Sequence, residues 1–218
     1  MKLVVFGPTG ATGRHLIDQA LASGHEVTAF TRSEIADRPP SLRVFWGNVF
    51  DVDEVSAAVR AQDAVVSCLG SRPWRHTDVC SEGIRTIITA MRDTGVRRVI
   101  AMSSQGVGNA RFSLLGSIAA LAIRREIADK RRMEDLLADS EVDWTVVRPA
   151  ILTNGEPRGR WRIADDGSII GGMIPRADVA AFMLHELRVG EWIRRSPTIA
   201  SETRTHRASE RRPTATAG

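Results

Sequence analysis

The sequence predicts an α/β protein built as a doubly wound parallel sheet between two helical layers. Three observations carry that prediction. Segments rich in β-branched and apolar residues alternate with segments of helical periodicity along most of the chain. Residues 64–68 are apolar on both faces, as befits a strand covered by helices on both sides. Residues 2–13, KLVVFGPTGATG, set a strand, a glycine turn and a helix start in that order.

The elements follow in sequence. Leu3, Val4, Val5 and Phe6 form the first strand, which ends at Gly7. Gly10 and Gly13 follow at three-residue spacing, ahead of a helix over 14–22. Strands are expected at 25–31 and 42–46, a short helix at 54–59, and the buried fourth strand at 64–68. A helix over 81–94 places Ile84, Ile87, Ile88 and Met91 at helical spacing and stops at Gly95. A fifth strand covers 98–103, a helix 118–137, and a sixth strand 144–148 stopped by Pro149. Beyond it lie short pieces near 161–164 and 168–170, then a helix at 177–187, in a small irregular C-terminal region expected on the substrate side. One domain over 1–200 is expected, with 201–218 a disordered basic tail that lacks apolar periodicity.

Bulk composition narrows the function. The chain has 218 residues, 43% of them hydrophobic, enough for one sizeable core. The net charge of +4 is mild, and Arg204, Arg207, Arg211 and Arg212 against Glu202 and Glu210 supply +2 of it from the tail. That is no nucleic-acid footprint. Cys68 and Cys80 show no metal-ligand spacing, and no metal is expected. The early first strand leaves no room for a signal peptide, and 114–123, the longest apolar stretch, is shorter than the about 20 residues a membrane span needs. A cytoplasmic protein follows, monomeric or weakly homo-oligomeric. The chain contains no tyrosine.

The glycine segment points to a dinucleotide. Glycines let the backbone approach a pyrophosphate, and the helix end offers free N–H groups with partial positive charge. The spacing is GxxGxxG rather than GxGxxG, in the strand–turn–helix context of a Rossmann-type fold. The second strand ends in Thr31-Arg32-Ser33, with no acid before Glu34. A carboxylate there would bind a ribose 2′-OH, whereas a guanidinium grips a 2′-phosphate. Arg32 and Ser33 therefore argue for NADP(H), with Arg14 a further charge on that side; the alternative for Arg32 is a solvated loop residue.

GPTGATGRHL, FTRS, GNVFD, QDAVVSCLG, SEGIRTIITAMRDTGVRRVIAMSS, DWTVVRPA and IPRADVAAFMLHEL, spread over about residues 1–187, together resemble the atypical short-chain dehydrogenase/reductases. Their branch is that of the NAD(P)H-binding proteins grouped with biliverdin reductase B (flavin reductase) and the NmrA-like proteins. The resemblance implies that Gly7, Thr9, Gly10, Ala11, Thr12 and Gly13 hold the pyrophosphate, and Arg32 and Ser33 the 2′-phosphate. It implies Asn48 and Val49 beside the adenine, with Asn in place of the family's Asp, and Cys68, Leu69 and Gly70 along the ribose. Ser103, Ser104, Pro149, Ala150 and Ile151 fall near the nicotinamide, and Lys130 where the family's catalytic lysine stands.

The departures matter as much. Glu126 occupies the place of the tyrosine in the wider superfamily's Tyr-x-x-x-Lys pair, and Ala150 lies in the segment where biliverdin reductase B has a histidine. A glutamate is normally ionised near neutral pH and cannot stand in for a phenol as it is. Acceptors that take a hydride readily and collect their proton from solvent remain, which favours a planar flavin or quinone. The expected function is an NADPH-dependent reductase of such acceptors. A non-catalytic NADP(H)-binding redox sensor of NmrA type is the alternative, and a nucleotide-sugar epimerase or dehydratase is disfavoured by the missing tyrosine.

Individual residues keep two readings each. Ser104 is a hydrogen-bond donor to the acceptor or a strand-end serine. Lys130 is a ribose ligand or a solvated charge in 124–132, and the charged run 124–139 is read as a solvated helix face. His76, beside Trp74 and Arg75, is a cofactor-covering or a solvated loop residue. The apolar stretch 112–121 is a pocket wall, a core helix or an oligomer contact. Trp161 and Met173 lie in the region expected to cap the site.

Overall fold

The structure, a computed structural model, describes residues 1–36, 38–70, 78–105, 118–165 and 170–202, with the side chains of 118–123 also outside the description. His76, Trp74, Arg75, most of 112–121 and the tail from 203 lie outside the described residues.

Strand β1 (Lys2–Phe6) leads through the glycine turn into α1 (Ala11–Ala22), followed by β2 (Glu26–Thr31), β3 (Arg43–Trp46) and α2 (Val52–Val59). Then come β4 (Ala64–Ser67), α3 (Val79–Thr94), β5 (Arg98–Met102), α4 (Ile118–Ala138) and β6 (Asp143–Pro149). The C-terminal part holds β7 (Ile151–Thr153), β8 (Trp161–Ala164), β9 (Met173–Pro175), α5 (Arg176–Val189) and β10 (Thr198–Ser201). Among the described residues the main sheet runs β3-β2-β1-β4-β5-β6-β10-β8. It is parallel from β3 to β10, and only β8 is antiparallel, against β10.

The period-two alternation of β1 splits the core between the faces. Leu3 and Val5 pack with Leu16, Ile17, Phe182 and Met183 of α1 and α5. Val4 and Phe6 pack with Val55, Ile84, Ile87, Met91 and Leu137 of α2, α3 and α4. Both faces are therefore covered, which is why Leu3–Phe6 of β1 and Ala64–Val66 of β4 are apolar without polar alternation. β1 pairs with β2 on one side and with β4 on the other, so successive crossovers leave β1 in opposite directions. That reversal opens a crevice above the carboxyl ends of β1 and β4.

The expected helices and first six strands are present, with ends shifted by at most three residues. Gly95 closes α3 in the left-handed conformation at φ +77°. Three features differ from expectation. Pro149 is the last residue of the sixth strand rather than the first beyond it: it stands opposite Ile199 of β10, and its carbonyl accepts the Gln105 N–H at 2.9 Å. The region after it is more regular than its sequence suggests, because β7 pairs with β9 while β8 and β10 extend the main sheet. Ser201, assigned to the tail, ends β10 and is 2% exposed.

The charged run on α4 is a solvated face only in part: Arg124, Arg125, Arg131, Arg132, Asp135 and Asp139 are exposed, but three of its charges turn inward. Asp129, Lys130 and Glu134 are all buried, each with a partner. Glu134 pairs with Arg148 of β6. Asp129 caps the start of α3 from a neighbouring helix, accepting the N–H groups of Cys80 at 2.9 Å and Ser81 at 3.0 Å and the Ser81 hydroxyl at 2.6 Å. Asp78, at the N-cap position, makes no such bond to the helix itself. The orphan N–H groups of α3 are thus satisfied in trans, with the carboxylate favourably placed at the positive helix end. This ties α4 to α3 and fixes the height of the next residue, Lys130.

Asp129→Ala leaves those buried donors without an acceptor and is expected to cost about 2–4 kcal/mol, read as a lowered urea midpoint with an unchanged slope.

Candidate nucleotide-binding cleft

A cleft of about 490 Å³ opens above the carboxyl ends of β1 to β5. Its floor is the turn between β1 and α1. Gly7 holds φ +79°, a left-handed conformation that suits glycine, and a Cβ there would stand 2.5 Å from the Cys68 carbonyl oxygen. A Cβ on Gly13 would stand 2.3 Å from the Gly7 carbonyl oxygen, so the third glycine lets the first turn of α1 press onto the loop. α1 carries no side-chain cap and no acid in its first turn. Its leading N–H groups and the positive end of its dipole are therefore left for an anion.

Of the predicted residues, Gly7, Thr9, Gly10, Ala11, Thr12, Gly13, Arg32, Ser33, Val49, Cys68, Leu69, Gly70 and Lys130 line this one cleft. Arg32 and Ser33 are exposed, just beyond a turn closed by the Thr31 hydroxyl, which accepts the Ser33 N–H at 3.0 Å. Asn48, Ser103, Ser104, Pro149, Ala150 and Ile151 are not part of the lining. Asn48 is exposed, and its side-chain oxygen accepts the Phe50 N–H at 3.3 Å. Ala150 donates its N–H to the Ile199 carbonyl at 2.8 Å, Pro149 is buried, and Ile151 is 68% exposed. Ser103 is fully buried just past β5, and its hydroxyl has no partner among the described residues. Ser104, the next residue, is half-buried. Arg14 is exposed and outside the lining. Trp161 packs edge-on against Phe182 at 5.5 Å, which makes it part of the fold, and Met173 is exposed.

The cleft also gathers residues that sequence reasoning passed over. Phe30 and Phe50 flank its β2–β3 end, and Met102, Leu152 and Arg176 line it as well. The lining cations are Arg32, Lys130 and Arg176, and Glu126 is the one carboxylate among the described lining residues. Lys130 is 6% exposed; its Nζ lies 3.3 Å from Glu126 Oε1 and 3.4 Å from the Ser103 carbonyl oxygen.

This is the architecture of a dinucleotide-binding α/β protein: a glycine cradle under an uncapped helix start, at a topological switch point, with an excess of positive charge. Residues 7–188 match the NAD(P)H-binding family, and the chain belongs to it. The uncharacterized protein YwnB of Bacillus subtilis is 25% identical over 215 residues, spanning 93% of this chain and 99% of that protein. A solved Bacillus halodurans protein, designated a candidate NAD-dependent epimerase/dehydratase, superposes with a TM-score of 0.80 at 27% identity over 93% of this chain and 94% of its own. A Streptococcus pneumoniae protein, designated a candidate NADH-flavin reductase, gives 0.78 at 23% identity over 93% and 100%. An uncharacterized Mycobacterium tuberculosis protein is 26% identical over 70% of this chain, which spans only 15% of that protein's length. A nicotinamide dinucleotide is accordingly the ligand class of the family. Among the described residues no helix is long and apolar enough to cross a membrane.

Both thiols are free and buried. Burial pushes Cys68 up to about 12. Burial, aided by the neighbouring Asp129 carboxylate, pushes Cys80 up to about 12. At about pH 8 the thiolate fraction in the folded protein is then on the order of 10⁻⁴. Iodoacetamide is expected to spare both cysteines in buffer and to modify both in concentrated urea, as read by intact mass.

Proposed function

We propose that this protein is an NADPH-dependent oxidoreductase that delivers a hydride to a planar flavin- or quinone-like acceptor. The observation that carries the reading is Glu126. It lines the cleft beside Lys130 where the wider superfamily places a tyrosine, and the chain has no tyrosine. Its carboxylate lies 3.3 Å from the Lys130 ammonium, where the superfamily has a phenol. It is no ready proton donor to a carbonyl substrate. Acceptors whose proton comes from solvent suit such a site.

The roles follow from position. The backbone from Gly7 to Gly13 cradles the pyrophosphate. Arg32 and Ser33 hold the 2′-phosphate: the guanidinium has no carboxylate partner among the described residues and lies at the β2 end, where adenosine belongs. Val49 and Asn48 adjoin the adenine, and Cys68, Leu69 and Gly70 the ribose beyond it. Lys130, steadied by Glu126, bonds the nicotinamide ribose. Ser103, fully buried just past β5, lies on the nicotinamide side, and the half-buried Ser104 after it donates to the acceptor. The nicotinamide, when bound, supplies the hydride, and the protein supplies placement and exclusion of water. The solved neighbour designated a candidate flavin reductase lends the acceptor class support by analogy.

Purified protein mixed with NADPH and a panel of flavins, quinones and dyes is expected to consume NADPH, and Ser104→Ala to slow it by about 10-fold or more. Tight NADPH binding without turnover on any acceptor would replace this reading with that of a redox sensor.

Arg32→Ala is expected to raise the Kd for NADPH by about 10–100-fold, the loss of charged hydrogen bonds worth about 1.5–3 kcal/mol. The Kd for NADH should stay within about twofold. Equal losses would remove the 2′-phosphate role.

A further inference from the structure

The cleft holds one more cation than the dinucleotide has use for. NADPH carries its anions at two places, the pyrophosphate and the 2′-phosphate. The uncapped start of α1 and Arg32 answer these two. Lys130 is already compensated by Glu126 at 3.3 Å. Arg176 remains.

Arg176 is the first residue of α5, and its side chain lines the same cleft beside Leu152. Its Nη1 donates to the Asn154 side-chain oxygen at 2.7 Å, a neutral acceptor that sets the direction of the guanidinium and leaves its charge intact. The nearest acid in sequence, Asp178, does not neutralise it. That carboxylate is 1% exposed and taken up by backbone donors, the N–H of Arg158 at 2.9 Å and of Gly159 at 3.0 Å. Arg176 reaches the cleft from the start of α5, with Leu152 of β7 also in the lining, whereas Arg32 follows β2. Among the described residues neither guanidinium has a carboxylate partner, and the two reach the cleft from different elements.

We infer that Arg176, aimed by Asn154, binds an oxyanion, phosphate or carboxylate, on the acceptor, so that the acceptor is a planar redox molecule with an anionic arm. The inference rests on the reading of the cleft as an NADPH-dependent reductase site and names the chemistry of its second substrate. Arginine suits the task, because its planar fork bonds such a group through two donors at once.

FMN and riboflavin share a ring and differ by one phosphate, which makes them the probes. Each is titrated by fluorescence quenching into protein saturated with NADP⁺, a measurement that needs no turnover. FMN should bind about tenfold or more tighter than riboflavin. Arg176→Gln should collapse that ratio to near one, Arg176→Lys should recover part of it, and Asn154→Ala should lose a smaller part. Equal binding of the two flavins by the unaltered protein, or binding of neither, overturns the inference. So does an Arg176→Gln protein that loses NADP⁺ affinity while keeping its FMN preference, since the cation would then serve the pyrophosphate. Arg176-dependent FMN binding without NADPH consumption would sink the reductase reading and leave the anion site standing.

Discussion

The close approach of α1 to the loop before it governs the molecule. The Gly7 carbonyl oxygen lies where a Gly13 side chain would begin, 2.3 Å from a Cβ built there, and the Cys68 carbonyl crowds Gly7 in the same way at 2.5 Å. Three backbone segments, the turn after β1, the first turn of α1 and the exit of β4, meet with no room for side chains. Only this contact places bare N–H groups at the floor of the crevice, where a diphosphate can reach several at once. The sheet order serves the same end, because the crevice exists only where β2 and β4 leave β1 on opposite sides.

The opposite wall is set by buried charge. Asp129, fully buried, ties α4 to the start of α3, and Lys130 follows it on the same turn. Glu134, one turn on, is clamped to Arg148 of β6. A helix that would otherwise slide on an apolar surface is thus pinned at two points with directional bonds, which hold register as dispersion contacts do not. Lys130 owes its place at the cleft to these neighbours.

What the sequence disclosed depended on how local the signal is. β1, the glycine turn and α3 were legible because their determinants sit within a dozen residues: a β-branched run, a fixed spacing, a helical period closed by Gly95. β7, β9 and β10 were not, since strands of three or four residues carry no period of their own and exist through distant partners such as Thr198 opposite Arg148. The charges of α4 misled for a related reason. Lys, Glu and Asp at i,i+4 spacing look the same whether they face water or a neighbouring helix start. That the glycines and Arg32 line one cleft was legible from their own segments. That Arg176 joins the lining was not, because a lone arginine opening a helix has nothing in its own segment to mark it.

The position of Arg176 bears on how a site without a phenol performs chemistry. A reductase lacking a proton donor must draw more of its acceleration from holding donor and acceptor in register. Binding energy from a part of the substrate that does not react is well suited to that use, since it can be directed into orientation at the reacting atoms. A guanidinium fixed by Asn154 would supply such a handle, and Glu126, 3.3 Å from Lys130, would keep that ammonium from competing for the same anion. On the proposed reading, a carboxylate in place of a catalytic acid and an anion anchor for the acceptor would be two sides of one arrangement.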